Sequence, residues 1–234
     1  MRRPLPRDRI PRFGRPRSPR LGGMYVKICG LRDAGTARHA VSSGADAVGV
    51  VMSPASPRHA TAGQAVEVVD AARAAARLED RPVDTVLVVN RMPAAEAAGV
   101  ALELGFDVLQ LHGSYAAADF AAARELLPRL WRAASLERHP GLRAGEFGEE
   151  RLLVDGASPG SGEAWDLSGI AAGAEARALL GDGWLLAGGL DPRNVAQAIR
   201  ATRPWGVDVS SGVERSPGQK DPELIARFID AARA

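Results

Sequence analysis

VKICG, at residues 26–30, is one of four short apolar runs that each end in a reactive side chain or a glycine. The other three are VLQLHG at 108–113, LLVDG at 152–156 and VDVSSG at 207–212. Runs of this length bounded by Gly are typical of strands buried on both faces. Parallel strands with polar groups at their carboxyl ends are typical of (β/α)8 barrel enzymes, so these runs predict that fold.

Strand and helix patterns alternate eight times from Met24 onward. The strands are predicted near residues 24–29, 46–52, 83–89, 107–111, 130–134, 151–155, 184–187 and 206–210. The helices are predicted near residues 33–43, 63–78, 93–104, 115–127, 138–147 (a short piece), 166–180, 192–201 and 221–233. Because eight such units close a barrel and five or six would give an open sheet, we expect a single α/β domain, a (β/α)8 TIM barrel over 24–234.

Length and composition are compatible with one such enzyme. The chain has 234 residues, 46% of them hydrophobic, close to the ~250 residues of a typical barrel. No apolar run approaches the roughly 18–20 residues of a membrane span, and the first 23 residues lack the apolar centre of a secretory signal. We therefore expect a cytoplasmic protein without a membrane partner, and its single Cys excludes an internal disulfide.

The N-terminal segment differs in composition from the rest. Residues 1–20 contain eight Arg, five Pro and one acidic residue, so a formal charge of +7 there leaves −5 for the remainder of a chain whose total is +2. A basic arm for nucleic acid or an anionic membrane is one interpretation. The Pro content and scarcity of large apolar residues favour the other, a disordered extension over 1–23, with no nucleic-acid partner.

The two-residue period of a strand orients the polar side chains. The pairs that share a face are Lys27 with Cys29, Gln110 with His112, Leu153 with Asp155, and Asp208 with Ser210. In a barrel the inward face at the carboxyl rim is the active-site mouth. We therefore expect Cys29, His112, Asp155 and Asp208 to point into one cavity.

Several of these residues have a structural alternative. Cys29 is either a small buried hydrophobe or a thiolate that acts as base or nucleophile. Asp155 caps a loop or, as its apolar strand favours, serves as a general acid. His112 is a core histidine or a substrate contact. Arg58, in the loop after the second strand, is a solvated side chain or a clamp for a substrate carboxylate.

Glycine-bearing turns follow the sixth, seventh and eighth strands. Each alone is weak evidence, but together they match the phosphate site that many barrels build there from backbone N–H groups. The candidate phosphate-binding residues are Gly160, Gly162, Gly188, Gly189, Ser211 and Gly212. No cluster has metal-ligand spacing, so no metal site is predicted, and there is no dinucleotide fingerprint. The four Trp are interpreted as packing residues.

Taken together, the segments resemble phosphoribosylanthranilate isomerases. The resemblance runs from Met24 to about Phe228 and is carried by VKICGLRD (26–33), GADAVGVV (44–51), SPR (56–58), LQLHG (109–113), LLVDG (152–156), LLAGGLDPRNV (185–195), GVDVSSGVE (206–214) and PGQKD (217–221). It implies a cofactor-free (β/α)8 enzyme that catalyses an Amadori rearrangement of a phosphorylated substrate. By the match Cys29 is the general base and Asp155 the general acid.

The same resemblance implies the binding roles and one departure. Arg58 would hold the anthranilate carboxylate, Asp208 the ribose-derived hydroxyls, and Gln110 and His112 would contact the substrate. The family usually has Gly-Gly-Thr-Gly after the sixth strand, whereas this chain has Pro159-Gly-Ser-Gly, and proline has no N–H to donate. The assembly is expected to be a monomer or homodimer. Alternatives are the sister isomerase of histidine biosynthesis or a dual-substrate enzyme, a non-catalytic phosphate binder on this fold, and a nucleic-acid binder acting through the tail.

Overall fold

The computed structural model of the chain describes residues 23–136, 138–139, 141–155, 180–181 and 183–234. Eight parallel strands follow one another around a closed barrel, and β8 pairs with β1. The strands are β1 (Tyr25–Cys29), β2 (Ala47–Val51), β3 (Asp84–Val89), β4 (Val108–His112), β5 (Leu130–Ser135), β6 (Arg151–Asp155), β7 (Leu185–Leu186) and β8 (Gly206–Val209). The predicted fold class and all eight predicted strands are confirmed.

Helices connect the strands on the outside of the barrel. They are α1 (Ala34–Ser42), α2 (Ala62–Leu78), α3 (Ala94–Leu104), α4 (Ala117–Arg124), α5 (Val195–Thr202) and α6 (Pro222–Arg233). Capping side chains fix several starts, because Asp33 and Thr61 accept hydrogen bonds from backbone N–H groups of the first turns of α1 and α2. Within the described part of the chain, no helix is both long and apolar enough to cross a membrane.

The predicted short helix near 138–147 is wrong. The residues described there form turns. Gly145 and Gly148 have φ angles of 79° and 72°, a left-handed backbone that cannot continue a right-handed helix. The predicted helix near 166–180 lies outside the described residues apart from its end, and so does the N-terminal segment through residue 22.

Alternation along the strands separates two apolar layers. On β1, Val26 and Ile28 pack outward against the helices, while Tyr25 and Cys29 belong to the cluster inside the barrel. The Tyr25 ring stacks on Trp205 with centroids 4.4 Å apart, and its hydroxyl donates to Asp84. Trp131 and Trp184 are also buried, so their interpretation as packing residues is confirmed, whereas Trp165 lies outside the described residues.

A short hairpin between β8 and α6 was not predicted. A 3-10 turn (Ser211–Val213) leads into β9 (Glu214–Ser216), which pairs antiparallel with β10 (Gln219–Lys220). Gly218, at the turn, has φ 76°, and a Cβ there would contact the carbonyl oxygen of Pro57. The hairpin therefore packs closely on the loop after β2 and delivers Glu214 and Lys220 to the rim of the barrel.

Candidate active site

A cavity of about 330 Å³ opens at the carboxyl ends of the strands. Six side chains predicted for catalysis or substrate contact line it, and we call it the active-site cavity: Cys29, Arg58, Gln110, His112, Asp155 and Asp208. They come from four strands and one loop, so the barrel brings together residues that are far apart in sequence. The inward direction deduced for these residues agrees with their positions.

Cys29 ends β1 and is 6% exposed. Gly49, its neighbour in register on β2, makes room for it, since a Cβ on Gly49 would lie 2.9 Å from the Cys29 Sγ atom. Burial raises the pKa of the thiol, and the charge of Asp208 adds to that rise, whereas Lys27 and Lys220 oppose it. Lys27 and Lys220 therefore both favour the ionised form of the thiol, against the effect of its burial.

Lys27 is fully buried inside the barrel. Its Nζ atom donates to Oδ1 of Asp208 at 2.8 Å, across the β1–β8 pairing that closes the barrel. Burial alone would lower the pKa of Lys27, but Asp208 and Cys29 outweigh burial and raise it. Lys27 is therefore a charged group, and Asp208 reaches the cavity with one carboxylate oxygen already engaged.

Asp155 and His112 face each other across the cavity. Nε2 of His112 lies 3.7 Å from Oδ2 of Asp155, which is longer than a direct hydrogen bond. Burial lowers the pKa of His112, so its ring is neutral at neutral pH. Beside them, the buried Oε1 atom of Gln110 has no hydrogen-bond partner within the described part of the chain. A ligand donor in the cavity would satisfy it.

Arg58 is held by a bidentate ion pair. Its Nε and Nη2 atoms donate to the two carboxylate oxygens of Glu214 at 2.7 and 2.9 Å, and Lys220 contacts the same carboxylate at 2.7 Å. A guanidinium has five N–H donors, and Glu214 takes two of them. The remaining edge of this buried side chain can bind a carboxylate in the cavity.

The turns after β7 and β8 meet at the rim. A Cβ on Gly212 would contact the carbonyl oxygen of Leu190, so this approach requires glycine. Gly188 and Gly189 have φ angles of 84° and 61°. Gly189, Ser211 and Gly212 line a second pocket, which Arg193 and Arg227 also line. Gly160 and Gly162, together with Pro159, lie outside the described residues.

Three charged residues at the site had no role predicted from sequence. Lys27 could have been found by its inward position in an otherwise apolar strand. Glu214 and Lys220 belong to the hairpin, and no sequence signal indicated that they would reach Arg58. In the stretches that the structure covers, no group of three or more His, Cys, Asp or Glu could hold a metal ion.

Comparison with known proteins gives a consistent match. The family model for N-(5'-phosphoribosyl)anthranilate (PRA) isomerase matches residues 26–231. A relative of that name from Paracoccus denitrificans (strain Pd 1222) is 42% identical over 221 residues, covering 89% of this chain and 97% of the relative. The crystal structure of TrpF from Jonesia denitrificans is 46% identical, with a TM-score of 0.77 over 89% of this chain and 96% of that chain.

A further solved structure contains a bound ligand. It is a phosphoribosyl anthranilate isomerase in complex with reduced 1-(o-carboxyphenylamino)-1-deoxyribulose 5-phosphate. It is 32% identical to this chain, with a TM-score of 0.71 over 89% of this chain and 98% of that chain. Sequence and backbone similarity thus extend over the whole barrel, including the strands that form the active-site cavity.

Proposed function

Because this chain belongs to the N-(5'-phosphoribosyl)anthranilate isomerase family, we propose that its active-site cavity performs the isomerisation with Cys29 as general base and Asp155 as general acid. The chain is an isomerase of tryptophan biosynthesis, which converts N-(5-phosphoribosyl)anthranilate into 1-(2-carboxyphenylamino)-1-deoxyribulose 5-phosphate by an Amadori rearrangement. The observation that carries the assignment is that a thiol and a carboxyl group from β1 and β6 line the same small cavity.

The first step is opening of the ribose ring. Protonated Asp155 donates its proton to the ring oxygen as the bond between that oxygen and C1 breaks. The lone pair of the anthranilate nitrogen forms the C1=N bond, which gives an iminium ion. The neutral His112 ring next to Asp155 adds no positive charge, so it does not oppose formation of this cation.

The second step is proton removal at C2. The Cys29 thiolate takes the C2 proton, and the bonding electrons form C1=C2 while the C1=N electrons return to nitrogen. The product is an enolamine, which becomes the ketone when the C2 hydroxyl loses its proton and C1 gains one. An acid and a base with different pKa values in one cavity allow both steps near neutral pH.

The remaining residues hold the substrate. Glu214 orients Arg58, and the guanidinium edge that Glu214 does not occupy is suited to the anthranilate carboxylate. Asp208 and the unsatisfied Oε1 of Gln110 can accept hydrogen bonds from the sugar hydroxyls. The glycine turns after β7 and β8, with the nearby pocket lined by two arginines, suit the phosphate.

Turnover of phosphoribosylanthranilate, followed as loss of its anthranilate-type fluorescence, tests the assignment. Cys29→Ser and Asp155→Asn should each fold normally and lose about 10²–10⁴-fold in kcat. With a substrate whose ring is already open, Asp155→Asn should recover part of its loss and Cys29→Ser should not. Asp230→Asn makes the same chemical change on the exposed side of α6 and should retain wild-type turnover.

Near-normal kcat in both active-site variants would refute the acid–base pair. Equal recovery of both variants with the open-chain substrate would instead refute the division of roles between them. We further propose a cytoplasmic location, a monomeric or homodimeric assembly, and residues 1–23 as an extension separate from the 24–234 barrel. These proposals rest on composition and on the family, and they do not alter the chemistry of the cavity.

A further inference from the structure

A fully buried lysine lies inside the barrel, directly below the proposed base. Lys27 is 0% exposed, and it precedes Cys29 by two residues on β1, so both side chains project into the interior. Removing an ammonium group from water costs free energy unless the charge is compensated. The isomerisation as derived above assigns no step to this lysine, so its burial requires another reason.

The packing around Gly49 shows how closely the lysine and the thiol approach. The point where a Cβ on Gly49 would lie is 2.9 Å from Sγ of Cys29 and 3.3 Å from Cε of Lys27. The two groups also influence each other electrostatically, since Cys29 raises the pKa of Lys27 and Lys27 lowers the pKa of Cys29. On its other side, Nζ of Lys27 is 2.8 Å from Oδ1 of Asp208. The ammonium group is therefore held by the carboxylate of β8, and the lysine side chain packs on the same side of Gly49 as the thiol of β1.

We propose that Lys27 is a positioning residue for the isomerisation, which orients the Cys29 thiol and provides the positive charge that stabilises its thiolate. It acts through Cys29 and not on the substrate, because it lies beneath the cavity and does not line it. Its catalytic consequence rests on the proposed function of Cys29, whereas its effect on the thiol is a property of the free enzyme.

The charges that face the thiol come from several elements. Lys27 is on β1, Asp208 on β8 and Lys220 on β10, while the other titratable groups of the cavity are Arg58, His112 and Asp155. Burial raises the pKa of Cys29, Lys27 lowers it, Asp208 raises it and Lys220 lowers it. The two members of the ion pair therefore act on the thiol in opposite directions.

This opposition gives a test that does not depend on turnover. Cys29 is the only cysteine of the chain, so alkylation by iodoacetamide, followed against pH by intact mass, reports on this thiol alone. The pH at which half of the thiol is ionised, the titration midpoint, also follows from the ultraviolet absorbance of the thiolate, which needs no reagent access. Lys27→Met should raise this midpoint. At any fixed pH below the midpoint, alkylation should then slow about tenfold for each pH unit by which the midpoint rises. Asp208→Asn should lower it.

The double variant, Lys27→Met with Asp208→Asn, controls for folding. It removes both charges, so neither residue leaves its partner's charge unpaired, and its midpoint should lie between those of the two single variants. If Lys27→Met fails to fold, the double variant is compared with Asp208→Asn. The two differ only at Lys27, so the direction of the difference between their midpoints gives the effect of Lys27 on the thiol. Urea denaturation of all three separates loss of stability from the shift.

Two outcomes would overturn the proposal. One is an unchanged midpoint on removal of Lys27, both from the wild type to Lys27→Met and from Asp208→Asn to the double variant. The other is a shift of the same sign in Lys27→Met and Asp208→Asn that follows their loss of stability. The result is distinguishable from a failure of the proposed function. If Cys29→Ser kept its turnover, the role of Cys29 as base would be wrong, yet the opposite shifts of the thiol midpoint would still be expected.

Discussion

Gly49→Ala tests how accurately the base must be placed. Gly49 is not in the left-handed region, so alanine can adopt its backbone conformation. The added methyl group would lie 2.9 Å from Sγ of Cys29 and 3.3 Å from Cε of Lys27. Non-bonded contacts prefer ~3.5–4.0 Å, so Sγ must shift by roughly 0.5–1 Å. A misplacement of about 1 Å can cost about 10²-fold in rate, so we expect kcat to fall by about 10–100-fold.

Stability should change much less than turnover in this variant. Overpacking a core by one methyl group typically lowers the free energy of unfolding by about 1–3 kcal/mol, which urea denaturation measures. Gly99→Ala is the matched control, because a Cβ there meets nothing within 4 Å in the middle of α3. It should be stabilising by about 1 kcal/mol at unchanged kcat. Wild-type kcat in folded Gly49→Ala would refute the argument that this contact sets the position of the thiol.

Four further predictions follow from individual contacts. Arg129→Met leaves Asp84, which is 1% exposed, without its guanidinium partner, so urea denaturation should show a loss of about 3–5 kcal/mol at unchanged KM. Arg58→Ala should raise KM about 10–100-fold for the carboxylate substrate and leave the KM of an aniline-type analogue nearly unchanged. An equal rise in KM for both substrates would exclude the binding of the carboxylate by Arg58. Burial alone would raise the pKa of Glu214, but its cationic partners lower it from 4.5, so the stability that it contributes is present above that pH and lost as the pH falls further. Glu214→Gln should therefore show a shallower loss of stability on acidification below that pH, and an unchanged slope would contradict this. A chain beginning at Met24 should keep wild-type turnover and unfolding free energy.

Local patterning was sufficient for the strands. Each strand is a short run of apolar residues, and a fully buried strand needs such residues on both of its faces, so the runs were recognisable one at a time. The same method was wrong near 138–147, where Gly145 and Gly148 turn the chain. It also missed the β9–β10 hairpin, whose strands are only three and two residues long and carry no hydrophobic pattern.

The sequence predicted which residues form the candidate site, but not the contacts between them. The alternation of side chains on β1, β4, β6 and β8 determined which residues point inward, because that period is fixed by backbone geometry. It could not indicate that Glu214 binds Arg58, since the two are 156 positions apart and meet only when the hairpin packs on the loop after β2.

The sequence by itself determined the eight-unit fold, the polar residues at the strand ends and the side of the sheet that each one faces. Only the tertiary structure decided the distances between them and therefore their charge states. Lys27 and Asp208 are 181 positions apart, and they pair because closure of the barrel places β8 beside β1 in register. An electrostatic effect depends on separation and burial, and both quantities exist only once the barrel has closed.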